Sequence, residues 1–150
     1  MLELEYVLRM IVAMALGGII GLERECIKRP AGLRTHMLVA LGSCIFMIVS
    51  VKFSIDPARI AAGVVTGMGF IGAGTIIAEK EKHKEIVLGV TTAASLWTTS
   101  AIGLLVGIGE YVLASFATLL VFAILIIRII EHKEKRMPIH IAEREAKKQK

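Results

Sequence analysis

Six ionisable residues lie where charge is expensive. Glu23, Arg24 and Glu25 end one long apolar run, Arg34 precedes the next, and Asp56 with Arg59 opens a third. Carboxylates and guanidiniums at the edge of an apolar segment cost free energy unless they are paired, so the chemistry open to them is ion pairing, gating, cation binding or docking. The order along the chain suggests two pairs, Glu23 with Arg34 and Asp56 with Arg59. The second pair is three residues apart at a helix start, which permits a local contact. Plain placement at a membrane boundary would account for the same six residues with no further role.

Two further groups carry spacing. Thr91, Ser95, Thr99, Gly103 and Gly107 recur every four residues and form one narrow stripe of a helix. The stripe is either a close-packed interhelical seam, each hydroxyl bonded to its own backbone or a neighbour, or the lining of a polar path. Gly63, Gly67, Gly69, Gly72 and Gly74 crowd a shorter stretch, and GMGFIG within it spells G-x-G-x-x-G. That fingerprint needs a strand before it, a soluble helix after it and an acidic residue about 20 positions on. Here it lies inside an apolar segment whose one charge is Arg59, so close helix packing or a local helix break explains the glycines better. No serine, histidine and carboxylate share the spacing of a catalytic site. His83 stands alone and reads as surface. The expectation is a protein that is not an enzyme and needs no cofactor or metal.

The elements that must position these residues are membrane spans. Of 150 residues 55% are hydrophobic and the mean hydropathy is +0.72, above the roughly 45–50% of a soluble domain. At about 20 residues per span there is room for five: about 6–22, 36–51, 58–78, 86–108 and 111–130. The fold class expected is an all-α integral membrane protein, a bundle of about five transmembrane helices over 1–130, followed by a basic cytoplasmic tail, 131–150. In the charged turn 21–35, Pro30 lacks a backbone donor and Gly32 is conformationally loose, which forces the chain out of the bilayer and back. Asp56 before Pro57 is a helix N-cap with proline at the first helical position. The stretch 79–85, EKEKHKE, alternates in sign and is expected to be a solvated loop. Gly17, Gly18 and Gly21 should let another backbone approach, Arg9 should snorkel to the near interface, and Trp97, in mid-span, should pack against other helices.

A net charge of +5 and a pI near 9.4 would suit nucleic acid, but the basic residues fall in the gaps between apolar runs rather than along one polar face. Of 18 lysines and arginines all but Arg9, Lys52 and Arg59 fall on one side of a five-span bundle. The positive-inside rule then puts the N-terminus outside and the tail in the cytoplasm. Cys26 and Cys44 have no metal or redox spacing and read as free thiols, one at the membrane surface and one inside a span. Glu3 and Glu5 stand where a cleavable signal would be basic, so none is expected.

The segments GGIIGLERE, AGLRTHMLVALG, DPARIAAGVVTGMGFIGAGTII and LGVTTAASLWTTSAIGLLVGIGEY, in that order across about 16–111, resemble the membrane domain of the MgtC/SapB family of bacterial inner-membrane proteins. Two departures stand out: Gly63 occupies a position where the family pattern has glutamine, and a short basic tail follows the last span where members named MgtC carry a soluble domain. The resemblance implies a multi-pass protein associated with growth at low magnesium and, in pathogens, with survival inside host cells. It implies regulation of other membrane complexes, the ATP synthase among them. The partners expected are the lipid bilayer and other membrane proteins, with homo-oligomerisation left open. The alternative is a small Mg²⁺ or H⁺ transporter or channel, with the Thr91, Ser95, Thr99 stripe and the boundary carboxylates as its path.

Overall fold

The computed structural model describes residues 2–53, 56–81 and 84–127, without the side chains of Leu2 and 77–86. His83 and the expected tail lie outside the described residues. The element order is α1 (Leu2–Cys26), α2 (Leu33–Lys52), α3 (Pro57–Ala73), β1 (Ile77–Glu81), β2 (Lys84–Leu88) and α4 (Val90–Ile108), followed by a fifth helix, α5 (Tyr111–Ile127). Three of them, α1, α2 and α4, are long and apolar enough to cross a membrane. Helix α3 has 17 residues, at the lower limit of about 17 for a span.

Local chemistry sets the helix ends. Glu3 and Glu5 occupy the first turn of α1 and Arg24 its last, complementing the helix dipole. The turn after α1 is closed by Glu25, whose Oε2 accepts from the Leu33 backbone N–H at 2.8 Å, giving α2 a capping group from eight residues upstream. Asp56 caps α3 as its sequence implies, Oδ1 accepting from the N–H groups of Ala58 at 3.0 Å and Arg59 at 3.4 Å, with Pro57 next. Helix α4 ends in a Schellman motif. Gly109, at φ 94°, donates to the Val106 carbonyl, and Glu110 donates to that of Leu105.

Two expectations need correction. The third apolar segment does not stay helical to residue 78. Helix α3 stops at Ala73, where Gly74 donates back to Phe70 and the Thr75 hydroxyl to the Gly72 carbonyl. The stretch 79–85 is no simple loop either, because β1 and β2 form an antiparallel hairpin that also takes residues 86–88 from the start of the expected fourth span, an addition to a bundle that is otherwise all helix. Its register sets Lys80 opposite Glu85 and Glu81 opposite Lys84. Opposite-charge register positions favour pairing, and the alternation in sign that suggests a solvated loop also suits strands. The hairpin returns through Gly89, at φ 93°, whose Cβ position would fall 1.8 Å from the Thr75 carbonyl oxygen. Only glycine fits there.

Helix α2 is the central element. A Cβ at Gly17 of α1 would come 2.6 Å from the His36 carbonyl oxygen and one at Gly21 2.8 Å from Leu33 Cα. From another side a Cβ at Gly103 of α4 would come 2.3 Å from the Ala40 carbonyl oxygen and one at Gly107 2.6 Å from Met47 Cβ. Two glycine pairs at four-residue spacing thus press α1 and α4 onto α2, as small residues do between membrane helices. Around them Ala13, Ile20, Ala40, Cys44, Ile102 and Val106 form the main core, which Ala114 and Leu125 of α5 complete. Helix α3 is attached more lightly, through Met68 against Leu96 and Ala31.

Candidate functional site

The α1–α2 contact and the first turns of α4 enclose a polar cluster at the end of the bundle that carries the hairpin. Arg24 is fully buried and forms an ion pair with its neighbour Glu23, Nη2 donating to Oε1 at 2.8 Å and Nε to the other oxygen. The expected partner of Glu23, Arg34, is exposed instead. A flexible surface arginine gains little from a bond that an already buried neighbour can make. Arg24 Nη1 is buried and has no hydrogen-bond partner among the described residues.

His36, fully buried in the first turn of α2, lies within the electrostatic reach of that pair. Its Nδ1 is 3.0 Å from the Gly32 carbonyl oxygen and its Nε2 3.1 Å from Ser95 Oγ on α4. Ser95 Oγ donates to the Thr92 carbonyl at 2.8 Å, so the hydroxyl is left to accept from Nε2–H. Nδ1 is within hydrogen-bond distance of an acceptor as well. Hydrogen bonds join Gly32, His36 and Ser95 across α2 and α4, and the Glu23–Arg24 pair of α1 lies within electrostatic reach of them. Spacing in the sequence does not single out His36. Its signal is a histidine at the very start of an apolar span, but the serine that holds it is 59 positions away.

The hydroxyl stripe divides. Thr91 is exposed, while Ser95 and Thr99 face the interior with Gly103 and Gly107. Thr99 Oγ1 donates to the Ser95 carbonyl at 2.7 Å and Thr98 Oγ1 to those of Ala94 and Ser95, and Ser100 Oγ bonds the carbonyl of Trp97. These hydroxyls are closed on their own helix. Trp97 is 49% exposed on the opposite face of α4, beside Met68, Gly69 and Gly72 of α3.

At the other end of the bundle Arg9 does more than reach for the interface. Its Nη1 donates to the Gly107 carbonyl at 2.7 Å, its Nη2 pairs with Glu5, and the guanidinium lies 5.6 Å from the Tyr6 ring centroid. It thereby takes one of the orphan carbonyls at the C-terminus of α4. Asp56 and Arg59 are both exposed, and the carboxylate is engaged by backbone N–H groups. Among the described residues Asp56 and Arg59 form no ion pair with each other.

The glycines of α3 are not equivalent. Gly72 approaches Ala93 of α4, a Cβ lying 3.4 Å from it, and Gly74 turns the chain after the helix. Gly63, Gly67 and Gly69 face open space, with nothing among the described residues within 4 Å of a Cβ. Gly63 and Gly67 line a trough of about 680 Å³ between α2 and α3. The G-x-G-x-x-G string lies entirely within the helix. Among the described residues no three of His, Cys, Asp and Glu gather as a metal site. Both cysteines are free, Cys26 exposed and Cys44 buried.

The family model described as the MgtC family matches residues 10–133. The chain is 42% identical over 132 residues to an Escherichia coli K12 protein whose name reads "Putative magnesium transporter YhiD", the match covering 81% of this chain and 59% of that one. It is 42% identical over 141 residues to the protein MgtC of Salmonella typhimurium, covering 93% and 59%. The chain thus spans about 59% of the length of these relatives. No solved structure matches.

Proposed function

The chain belongs to the MgtC family, and on that premise we propose that this membrane protein is a non-catalytic regulator of other membrane complexes, linked to adaptation to low magnesium and, in pathogens, to virulence. The reading places it in a bacterial inner membrane with its N-terminus outside and its C-terminal side in the cytoplasm.

The observation that carries this reading is the closure of the α4 stripe. Ser95 and Thr99 are spent on backbone carbonyls, and Gly103 and Gly107 are filled by α2. A stripe used this way supports a rigid scaffold rather than a hydrated path. Helix α5 meanwhile turns Val112, Phe116, Leu120, Ile124 and Ile127 outward at helical spacing, a surface suited to lipid or to another protein's helix.

Transport is the second reading, and two things favour it. One relative's name carries magnesium transport, and the Glu23–Arg24–His36 cluster puts ionisable groups inside the bundle, where they often mark ion pathways. Proteoliposomes holding the purified chain separate the two readings. Under the regulator reading Mg²⁺ and H⁺ flux stay at the level of empty vesicles. In inverted membrane vesicles, addition of the chain changes ATP-driven proton pumping by a resident complex. Mg²⁺ flux that Glu23→Gln abolishes would replace regulation by transport.

A further inference from the structure

We infer that the trough between α2 and α3 binds one anionic glycerophospholipid, with an acyl chain along the trough and the phosphate on Arg59. The lining is apolar, with Leu38, Val39 and Phe46 from α2 facing Ile60, Val64 and Ile71 from α3. Its floor exists because Gly42, Gly63 and Gly67 carry no side chain, and a Cβ at any of the three would meet nothing within 4 Å among the described residues.

The length of the trough suits an acyl chain. From Arg59 to Ile71 the trough follows α3 for about 18 Å at 1.5 Å per residue, close to the roughly 15 Å depth of one leaflet. An extended hydrocarbon chain one leaflet deep matches that length, and the apolar walls of the open trough are free to receive it.

Charge chooses the headgroup. Arg59 lines one mouth of the trough in the first turn of α3, where the chain enters the membrane, and it is exposed. Among the described residues its guanidinium has no ion-pair partner. The nearby carboxylate, Asp56, is turned to the backbone N–H groups of Ala58 and Arg59. A guanidinium at headgroup level with free donors matches a phosphate in bidentate geometry, and Lys52, ending α2 at the same end of the bundle, adds positive potential.

The test is native mass spectrometry of the full chain, stripped of lipid and re-exposed to mixed micelles of phosphatidylglycerol and phosphatidylcholine with identical acyl chains. One phosphatidylglycerol per chain is expected, preferred about five-fold, the contribution of one cation near a membrane surface. Arg59→Gln should reduce the preference to near unity while a lipid is still retained. Gly63→Leu with Gly67→Leu fills open space and should lose both lipids with an unchanged thermal midpoint. Equal retention of the two lipids by the parent chain, an unchanged preference in Arg59→Gln, or a second copy of the chain held in place of lipid would each overturn the assignment. Arg59→Gln alters only an exposed side chain, so its result stands even if the double variant misfolds.

Discussion

Gly103 and Ala40 touch so closely that a single methyl group separates a packed bundle from a strained one: a Cβ at Gly103 would stand 2.3 Å from the Ala40 carbonyl oxygen. The obstacle is backbone, which cannot rotate away. Gly103→Ala is expected to destabilise the bundle by about 1–3 kcal/mol, the usual cost of overpacking. Gly67→Ala, into open space, should change stability by less than about 0.5 kcal/mol and be neutral or stabilising through helix propensity. Thermal unfolding in micelles compares them. Equal midpoints for the two variants would contradict the packing described.

His36 and Ser95 provide the second prediction. Ser95→Ala leaves the buried His36 Nε2 without its partner and should cost about 1–3 kcal/mol, while His36→Ala, which leaves Ser95 bonded to Thr92, should cost about as much or more through the cavity in place of its ring. In a double-mutant cycle the coupling should be of the order of 0.6 kcal/mol and below about 1.7, the range found between membrane helices. Strict additivity would mean that the 3.1 Å contact does not hold the helices together.

The buried arginine gives a sharper contrast. Glu23→Gln strips the counter-charge from fully buried Arg24 and should cost about 3 kcal/mol or more. Arg34→Gln, at an exposed site, should stay within about 0.5 kcal/mol. Accumulation in the membrane and unfolding midpoints check both, and a damaging Arg34→Gln would restore the Glu23–Arg34 pair.

Gly89 and Gly109 share a positive φ but not their surroundings. At Gly109 the nearest atoms to a Cβ are the far end of the Arg9 side chain, 3.3 Å away, so Gly109→Ala should cost little beyond the left-handed backbone, about 1–2 kcal/mol. At Gly89 the Thr75 carbonyl intervenes as well, and Gly89→Ala should prevent the hairpin from closing onto α4. Protease sensitivity of the 74–89 segment would report it, and equal resistance of both variants would be the contrary result.

Much of the site was legible in the sequence, in parts. Asp56–Pro57 states its own cap, and the four-residue spacing of Gly17 with Gly21 and of Gly103 with Gly107 marks helix contacts. What spacing does not contain is the partner. Both pairs bear on α2, whereas the equally spaced Gly63 and Gly67 bear on nothing among the described residues. The Glu23–Arg24 pairing was hidden because adjacent residues on a helix normally diverge, and only burial turns the two side chains together. His36 was missed because its partner, Ser95, is distant in sequence. The hairpin was missed because alternating charges describe a solvated loop and an exposed strand alike.

The most direct measurement of the central claim is cation flux through proteoliposomes of the purified chain, Mg²⁺ and H⁺ in turn, with Glu23→Gln and Asp56→Asn as controls. The account predicts rates equal to empty vesicles for the parent chain and both variants, from protein whose unfolding midpoint shows that it is folded. Flux above that background that either substitution removes would contradict it, and the charges at the ends of the bundle would become parts of a transport path.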